Sequence, residues 1–238
     1  MGQIYNGSKA SYPLKTPVLH HNLITDDFDA LKFRAASSLQ LQRVFRYQEA
    51  ASLSAHLITS PYNQEGHHLD LRTLDPSDQL LAKALTTFKP NRSDYATAGY
   101  LESFNWQFVI DILKDLAAAE SYEWKERSYY VVTFRSTLLA TADLDRLHEL
   151  DVHSHLEATT SGGLLKYWFG TRDEKLRNLA TCIWRNKEDA RRGGSGPWHK
   201  QAIAAARQMY EKIEFTALKL TIADGAEVWD IVGWVNEQ

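Results

Sequence analysis

An α+β fold is predicted from three observations. The first is the order of runs after residue 128. A β-branched and aromatic run, Tyr129–Leu138, precedes a helical stretch marked by Leu144, Leu147 and Leu150. Strand-like runs follow at Leu164–Phe169 and Leu179–Arg185, then an Ala-rich helix, then Phe215–Ile222. This β-α-β-β-α-β order is that of a ferredoxin-like unit. The second observation is that residues 25–119 carry mostly helical spacing. The third is the charged stretch at 120–128, which marks a seam between the two patterns. The expected regions are an irregular arm (1–24), a mainly helical region (25–126) and a ferredoxin-like α+β domain (127–238).

Pro13 and Pro17 keep the arm out of helix. Thr25, Asp26 and Asp27 put a capping residue and acids at a helix start that continues through Phe28 and Leu31 to about Ala36. Leu39–Arg46 fits either period and is read as strand; Glu49–Ile58 reads as helix, and Ser60–Gly66 as a turn. Asp75, Pro76 and Asp78 form a strong start signal for a helix whose stripe is Leu80, Leu81, Ala84, Leu85 and Phe88. Ser93 or Asp94 caps a further helix running to about Ala119, with a stripe of Leu101, Phe104, Phe108, Ile112 and Leu116. In the second half, Ser161-Gly162-Gly163 is a turn and Asp173–Lys175 a hairpin loop. Ala202, Ile203, Ala206, Met209, Tyr210 and Ile213 give one helix face, and Val228–Val235 a last strand.

Composition removes several function classes. The chain has 238 residues, 44% hydrophobic and 24% charged, with a formal net charge of −3, so no basic field invites nucleic acid. No run approaches the roughly 18 apolar residues of a membrane span. Cys182 is the single cysteine, which excludes an intramolecular disulfide and fits a reducing compartment. Met1–Ser11 lacks an apolar signal core, so the expected address is the cytoplasm. There is no phosphate loop, nucleophile elbow or dinucleotide fingerprint, and no cofactor is expected.

The strands are apolar on both alternations: Leu179, Thr181 and Ile183 point one way, Ala180, Cys182 and Trp184 the other. Neither face suits water throughout, so a second layer must cover the bare one. The N-terminal helices are one cover, and a second copy of the chain, giving a homodimer, is the other. A gap between layers would hold a small guest.

The segment Leu179–Arg185, with Glu188-Asp189-Ala190 and the helix from His199, resembles the strand-to-helix step of dimeric α+β barrel proteins. The whole chain is similar to a family of uncharacterised fungal proteins, most clearly over Thr25–Ala36 and from Gly162 to Leu220. The resemblance implies the fold and a fungal, intracellular setting; it brings no catalytic residues with it.

Several polar residues are candidates for chemistry. His148, Asp151 and His155 fall at i, i+3 and i+7, nearly on one helix face. Such groups serve general acid–base work near neutral pH, can hold zinc or iron, or form a polar flank. The first use is the one expected, with no metal. Arg185 or Lys166 would polarise a carbonyl inside a cavity walled by Tyr167, Trp168 and Trp184. Asn105, amid an apolar stripe, needs a backbone partner or a ligand between the two halves. His199 starts the last long helix beside a glycine-rich loop that suits a lid over a site. The pairs His20-His21 and His67-His68 read as loop decoration, and Cys182 as an inert core thiol. Together these give a cofactor-independent enzyme, an isomerase, cyclase or lyase, acting on a small and largely apolar molecule of the kind found in fungal secondary metabolism. The alternative is a non-catalytic, dimerising module that binds a hydrophobic ligand or a protein.

Overall fold

The structure, a computed structural model, describes residues 56–62 and 64–235. The expected arm, the helix at 25–36, the run at 39–46 and most of the helix at 49–58 lie outside these residues. The last turn of that helix is corrected: His56–Leu57 is a short strand, β1, paired antiparallel with β2 at Leu69–Asp70.

Helix α1 spans Pro76–Ala84, with Asp75 as its extended N-cap and Pro76 at the first helical position, as the start signal predicts. The single helix expected from Ser93 or Asp94 to Ala119 is instead two, α2 at Tyr100–Ser103 and α3 at Trp106–Ala119. Asn105 causes the break. Its Oδ1 accepts from the Lys89 N–H (2.8 Å) and its Nδ2 donates to the Thr87 carbonyl (2.9 Å), so the amide pins a neighbouring loop rather than continuing the helix. Asn105→Ala removes both of these hydrogen bonds at a buried position and is expected to cost about 2–3 kcal/mol in urea unfolding. A change under 0.5 kcal/mol, the ordinary range of a surface substitution, would remove this role.

The second half gives β3 (Arg127–Leu138), α4 (Leu144–Ser161), β4 (Leu164–Phe169), β5 (Arg177–Trp184), α5 (Lys187–Gly193), α6 (Pro197–Met209), β6 (Tyr210–Ile222) and β7 (Trp229–Gly233). The sheet is antiparallel in the order β4-β5-β3-β6-β7. Its first four strands have the split βαβ arrangement of a ferredoxin-like unit, with β5 between the two parallel-running strands β3 and β4. β7 adds a fifth strand along part of β6. Tyr210 and Ile213, expected on a helix face, belong to β6, where pairing with β3 overrides the helical spacing. Helix α4 starts at Asp143, whose side chain accepts from the Arg146 N–H. It ends at Gly162 and Gly163, both at positive φ (84° and 83°), the conformation that favours glycine.

One sheet face carries Tyr129, Val131, Lys166, Trp168, Leu179, Thr181, Ile183 and Leu220. Helices α1 and α3 lie over it, and Leu80, Leu81, Val109, Ile110, Leu113 and Leu116 share one buried core with the strands. Among the described residues, then, the N-terminal helices provide the cover that this sheet requires. Polar contacts cross the same boundary: Tyr100 Oη meets Thr181 Oγ1 (2.8 Å), Tyr129 Oη donates to Asp78 (3.2 Å) and Arg127 donates to Ser77 (2.6 Å). Burial raises the Asp78 carboxyl, while Arg127 and Tyr129 oppose that shift.

The other face presents Tyr130, Val132, Tyr167, Cys182 and Trp184 toward α4 and α5. Helix α6 lies along α4 rather than deep on the sheet. Only Met209 of α6 is buried, and Ile203 is exposed, so the Ala-rich stripe is not a core face.

Candidate functional site

Helix α4 brings His148, Asp151 and His155 to its side facing β4 and the loop 59–67. The Tyr167 N–H donates to the Thr59 carbonyl (2.9 Å), which strings that loop along the outer edge of β4. Two phenols converge on one carboxylate: Tyr167 Oη donates to Asp151 Oδ1 (2.6 Å) and Tyr62 Oη to Asp151 Oδ2. The Tyr62 ring lies 6.1 Å from His148, 5.2 Å from His155 and 5.3 Å from His67, centroid to centroid.

His67 and His155 stack nearly parallel at 5.1 Å, with their Nδ1 atoms 2.8 Å apart. One Nδ1 donates and the other accepts, so the two neutral rings carry opposite tautomers. Among the described residues, His155 Nε2 is buried without a hydrogen-bond partner. A bare lone pair there costs less than an unmatched N–H, which favours His155 as the ring whose Nδ1 donates.

Burial governs ionisation here. The His155 imidazole is pushed down to about 3 by burial, with His67 and His199 adding to the shift. His67 is lowered for the same first reason, with His68 and His153 contributing. Asp151 is raised by burial, against the two phenol hydrogen bonds and the nearby His148 and His199. The Tyr167 phenol is raised well above its usual range, first by burial and then by Asp151, and Tyr210 is raised to about 12 by the same two causes. Burial also raises the Cys182 thiol, as expected of an inert core cysteine.

The helix-face reading of His148, Asp151 and His155 therefore describes a real cluster, and Tyr167 joins it. Other candidates stand elsewhere. A strand alternates with period two, so Lys166 and Trp168 occupy the sheet face opposite Tyr167 and cannot wall one cavity with it. Lys166 is fully buried there, and Trp168 packs edge-on against Tyr95 and Phe104. Trp184 faces the α4 side but is packed against Ala158 and Leu164, so tightly that a Cβ on Gly193 would lie 2.3 Å from its ring. Neither of two clefts on the molecule includes a tryptophan. Asn105 has the backbone partners described above. His199 Nδ1 lies 3.0 Å from Glu157, whose carboxylate also accepts the Trp198 and His199 N–H groups at the start of α6. Burial pushes Glu157 up, but these bonds prevail and hold it below the usual range. Arg185 is tied to Asp189 (2.7 Å) and faces a separate cleft.

Sequence reasoning missed Tyr62 and His67. Both sit in a turn-rich loop without periodicity, and His67, read as loop decoration, is only 4% exposed. Among the described residues, no group of three His, Cys, Asp or Glu side chains is arranged to hold a metal ion, and no helix is long and apolar enough to cross a membrane.

Sheet order and helical layers define a ferredoxin-like α+β protein with a His–His and Tyr–Asp–Tyr cluster on the side that faces α4. The chain belongs to the PB2B2.08-like family, whose model matches residues 58–233. A relative, UPF0643 protein PB2B2.08 of Schizosaccharomyces pombe, is 36% identical over 182 residues, covering 74% of this chain and 83% of that protein. Among solved structures, SnoaB, a cofactor-independent oxygenase from Streptomyces nogalater, is 15% identical, covers 40% of this chain and 91% of its own, and has a TM-score of 0.31. Protein SO0527 from Shewanella oneidensis is 11% identical over 41% of this chain and 95% of its own, with a TM-score of 0.36. Rv0793 from Mycobacterium tuberculosis is 13% identical over 38% and 92%, with a TM-score of 0.34.

Proposed function

We propose that this chain is a cofactor-independent enzyme of the isomerase or lyase type, working in the cytoplasm on a small, largely apolar organic molecule. The observation that carries this reading is His155: a buried imidazole with an unpartnered Nε2, fixed through Nδ1 by a second histidine. Such a group is a pre-oriented proton acceptor. Its basicity is low in the resting site and rises when negative charge develops beside it. A proton taken from an activated carbon and returned to its neighbour is an isomerisation; one lost together with a leaving group is an elimination. Asp151, bonded by Tyr62 and Tyr167, holds both phenol rings beside His155, with His148 on the far side of the Tyr62 ring.

The test is carbon–deuterium labelling. The full chain is incubated in heavy water with a fungal metabolite extract, and mass spectrometry follows the metabolite masses. At least one metabolite gains deuterium, as an isomerisation requires, or loses the mass of a proton and a leaving group, as an elimination requires, and His155→Ala slows that change by about 100-fold or more. Neither change, or equal change with both proteins, overturns the reading.

A non-catalytic module is the second reading. It is favoured by Phe215, which is 60% exposed on β6 and packs only edge-on against Phe134 at 4.9 Å. An apolar partner or a second copy would cover that ring.

A further inference from the structure

A cleft of about 410 Å³ opens where the end of α4, the end of β5 and the loop carrying Gly66 and His68 meet. That volume lies within the range of small-molecule sites. Its lining includes the hydroxyls of Thr159, Thr160 and Ser161 and the guanidinium of Arg185.

Arg185 is held in an unusual way. Its Nε donates to Asp189 Oδ2 (2.7 Å), and its backbone N–H donates to the Gly163 carbonyl (2.9 Å). Among the described residues, its two terminal nitrogens have no partner, although the side chain is only 27% exposed. Asp189 cannot follow Arg185 into the cleft. It is 2% exposed, takes Asn186 on Oδ2 (3.2 Å) and Arg192 on Oδ1, and packs so closely on Gly163 that a Cβ there would lie 2.2 Å from Oδ2. Two arginines thus share the Asp189 carboxylate; the buried Asp78, itself beside Arg127, also feels the Arg185 charge, but it makes no hydrogen bond to the two terminal nitrogens, which stay open to the cleft. The acid in the lining, Asp70, is already matched through both oxygens by Arg72 (2.9 and 2.7 Å). A planar fork with its outer edge free is the geometry that receives a carboxylate through two parallel hydrogen bonds.

The same surroundings argue against a dianion. The cleft wall at Thr159–Ser161 is the carboxy-terminal end of α4, where the helix dipole is negative. A single guanidinium beside that end matches one negative charge and leaves a second facing the negative end of the helix. The cleft also lies against the histidine pair: Gly66 and His68 flank His67, and Thr159 Oγ1 is 3.4 Å from His155 Nδ1.

We propose that this cleft is a carboxylate subsite, in which the terminal nitrogens of Arg185 hold a small organic monocarboxylate whose carbon skeleton extends toward Thr159. That this molecule is also what His155 acts on rests on the enzymatic reading above; the binding itself does not.

The test uses benzoate as the probe, with its neutral isostere benzamide and inorganic phosphate as comparators, in isothermal titration against the full chain. Benzoate binds saturably, benzamide does not, and phosphate is weaker than benzoate. Arg185→Gln weakens benzoate at least 10-fold, the equivalent of about 1.4 kcal/mol. Thermal melting checks that this variant is folded, Asp189 keeping Arg192 and Asn186. Thr160→Trp fills the cleft from an exposed position without touching the Arg185–Asp189 pair, and it too weakens benzoate at least 10-fold. Absence of saturable benzoate binding, full affinity in either folded variant, or phosphate binding as tightly as benzoate overturns the proposal. The titration and the labelling experiment fail separately. A chain that binds benzoate but changes no metabolite keeps the subsite and loses the reaction.

Discussion

Acidification from pH 6.5 toward pH 3 is expected to remove on the order of 3–5 kcal/mol of folding stability through His155. The folded-state pKa of this imidazole is depressed, so between those values the unfolded chain binds a proton that the folded chain refuses. The stabilisation is whole above pH 6.5 and is lost as pH falls toward the folded value. Adding a proton need not break the Nδ1–Nδ1 hydrogen bond; the cost is the burial of charge at Nε2. Other groups act in the same window. Asp151, raised in the folded state, offsets part of the loss by taking up a proton there, whereas Glu157, lowered, adds to it. Comparison with His155→Leu separates these contributions. The variant is less stable at pH 7, because His67 loses its partner, but its stability falls less steeply with acid. Urea titrations of both proteins at pH 7 and pH 4 read the difference, and parallel losses would rule out His155 as the source.

Trp168→Ala is expected to cost about 3–5 kcal/mol, the range for deleting a large buried aromatic. The indole stands between Tyr95 and Phe104 in edge-on contacts at 5.2 and 5.0 Å, where the sheet meets the helices lying over it. Its removal leaves a void at that boundary and forfeits contacts on both sides. Phe215→Ala, at the 60% exposed ring, serves as the control and should stay within about 0.5 kcal/mol. Denaturant unfolding measures both; a Trp168→Ala cost below 1 kcal/mol would show that the boundary does not depend on this ring.

Much of the fold was legible because local signals agreed with the tertiary outcome. The Asp75-Pro76 start, the limits of β4 and the two glycines after α4 all follow from backbone preferences that packing did not overrule. The misreadings share one cause, a distant partner. β3 recruits Tyr210–Glu214 into a strand, β2 recruits His56–Leu57, and the Lys89 N–H and the Thr87 carbonyl recruit Asn105 out of a helix. The candidate site divides likewise. Its helical members were visible as a spacing, and Tyr167 as an aromatic strand residue. Tyr62 and His67 were not visible, since a loop has no period to reveal which way its side chains turn. Strand alternation already carried the information that Trp168 and Tyr167 face apart.

The greasy side of the sheet is upholstered by the chain's own helices, and the interior runs without interruption across the charged stretch at 120–128. Each part is therefore the other's raincoat. Peeling them apart would wet two apolar surfaces at once, so heat, denaturant or a protease cutting at that stretch meets a jointly held structure rather than two independent ones.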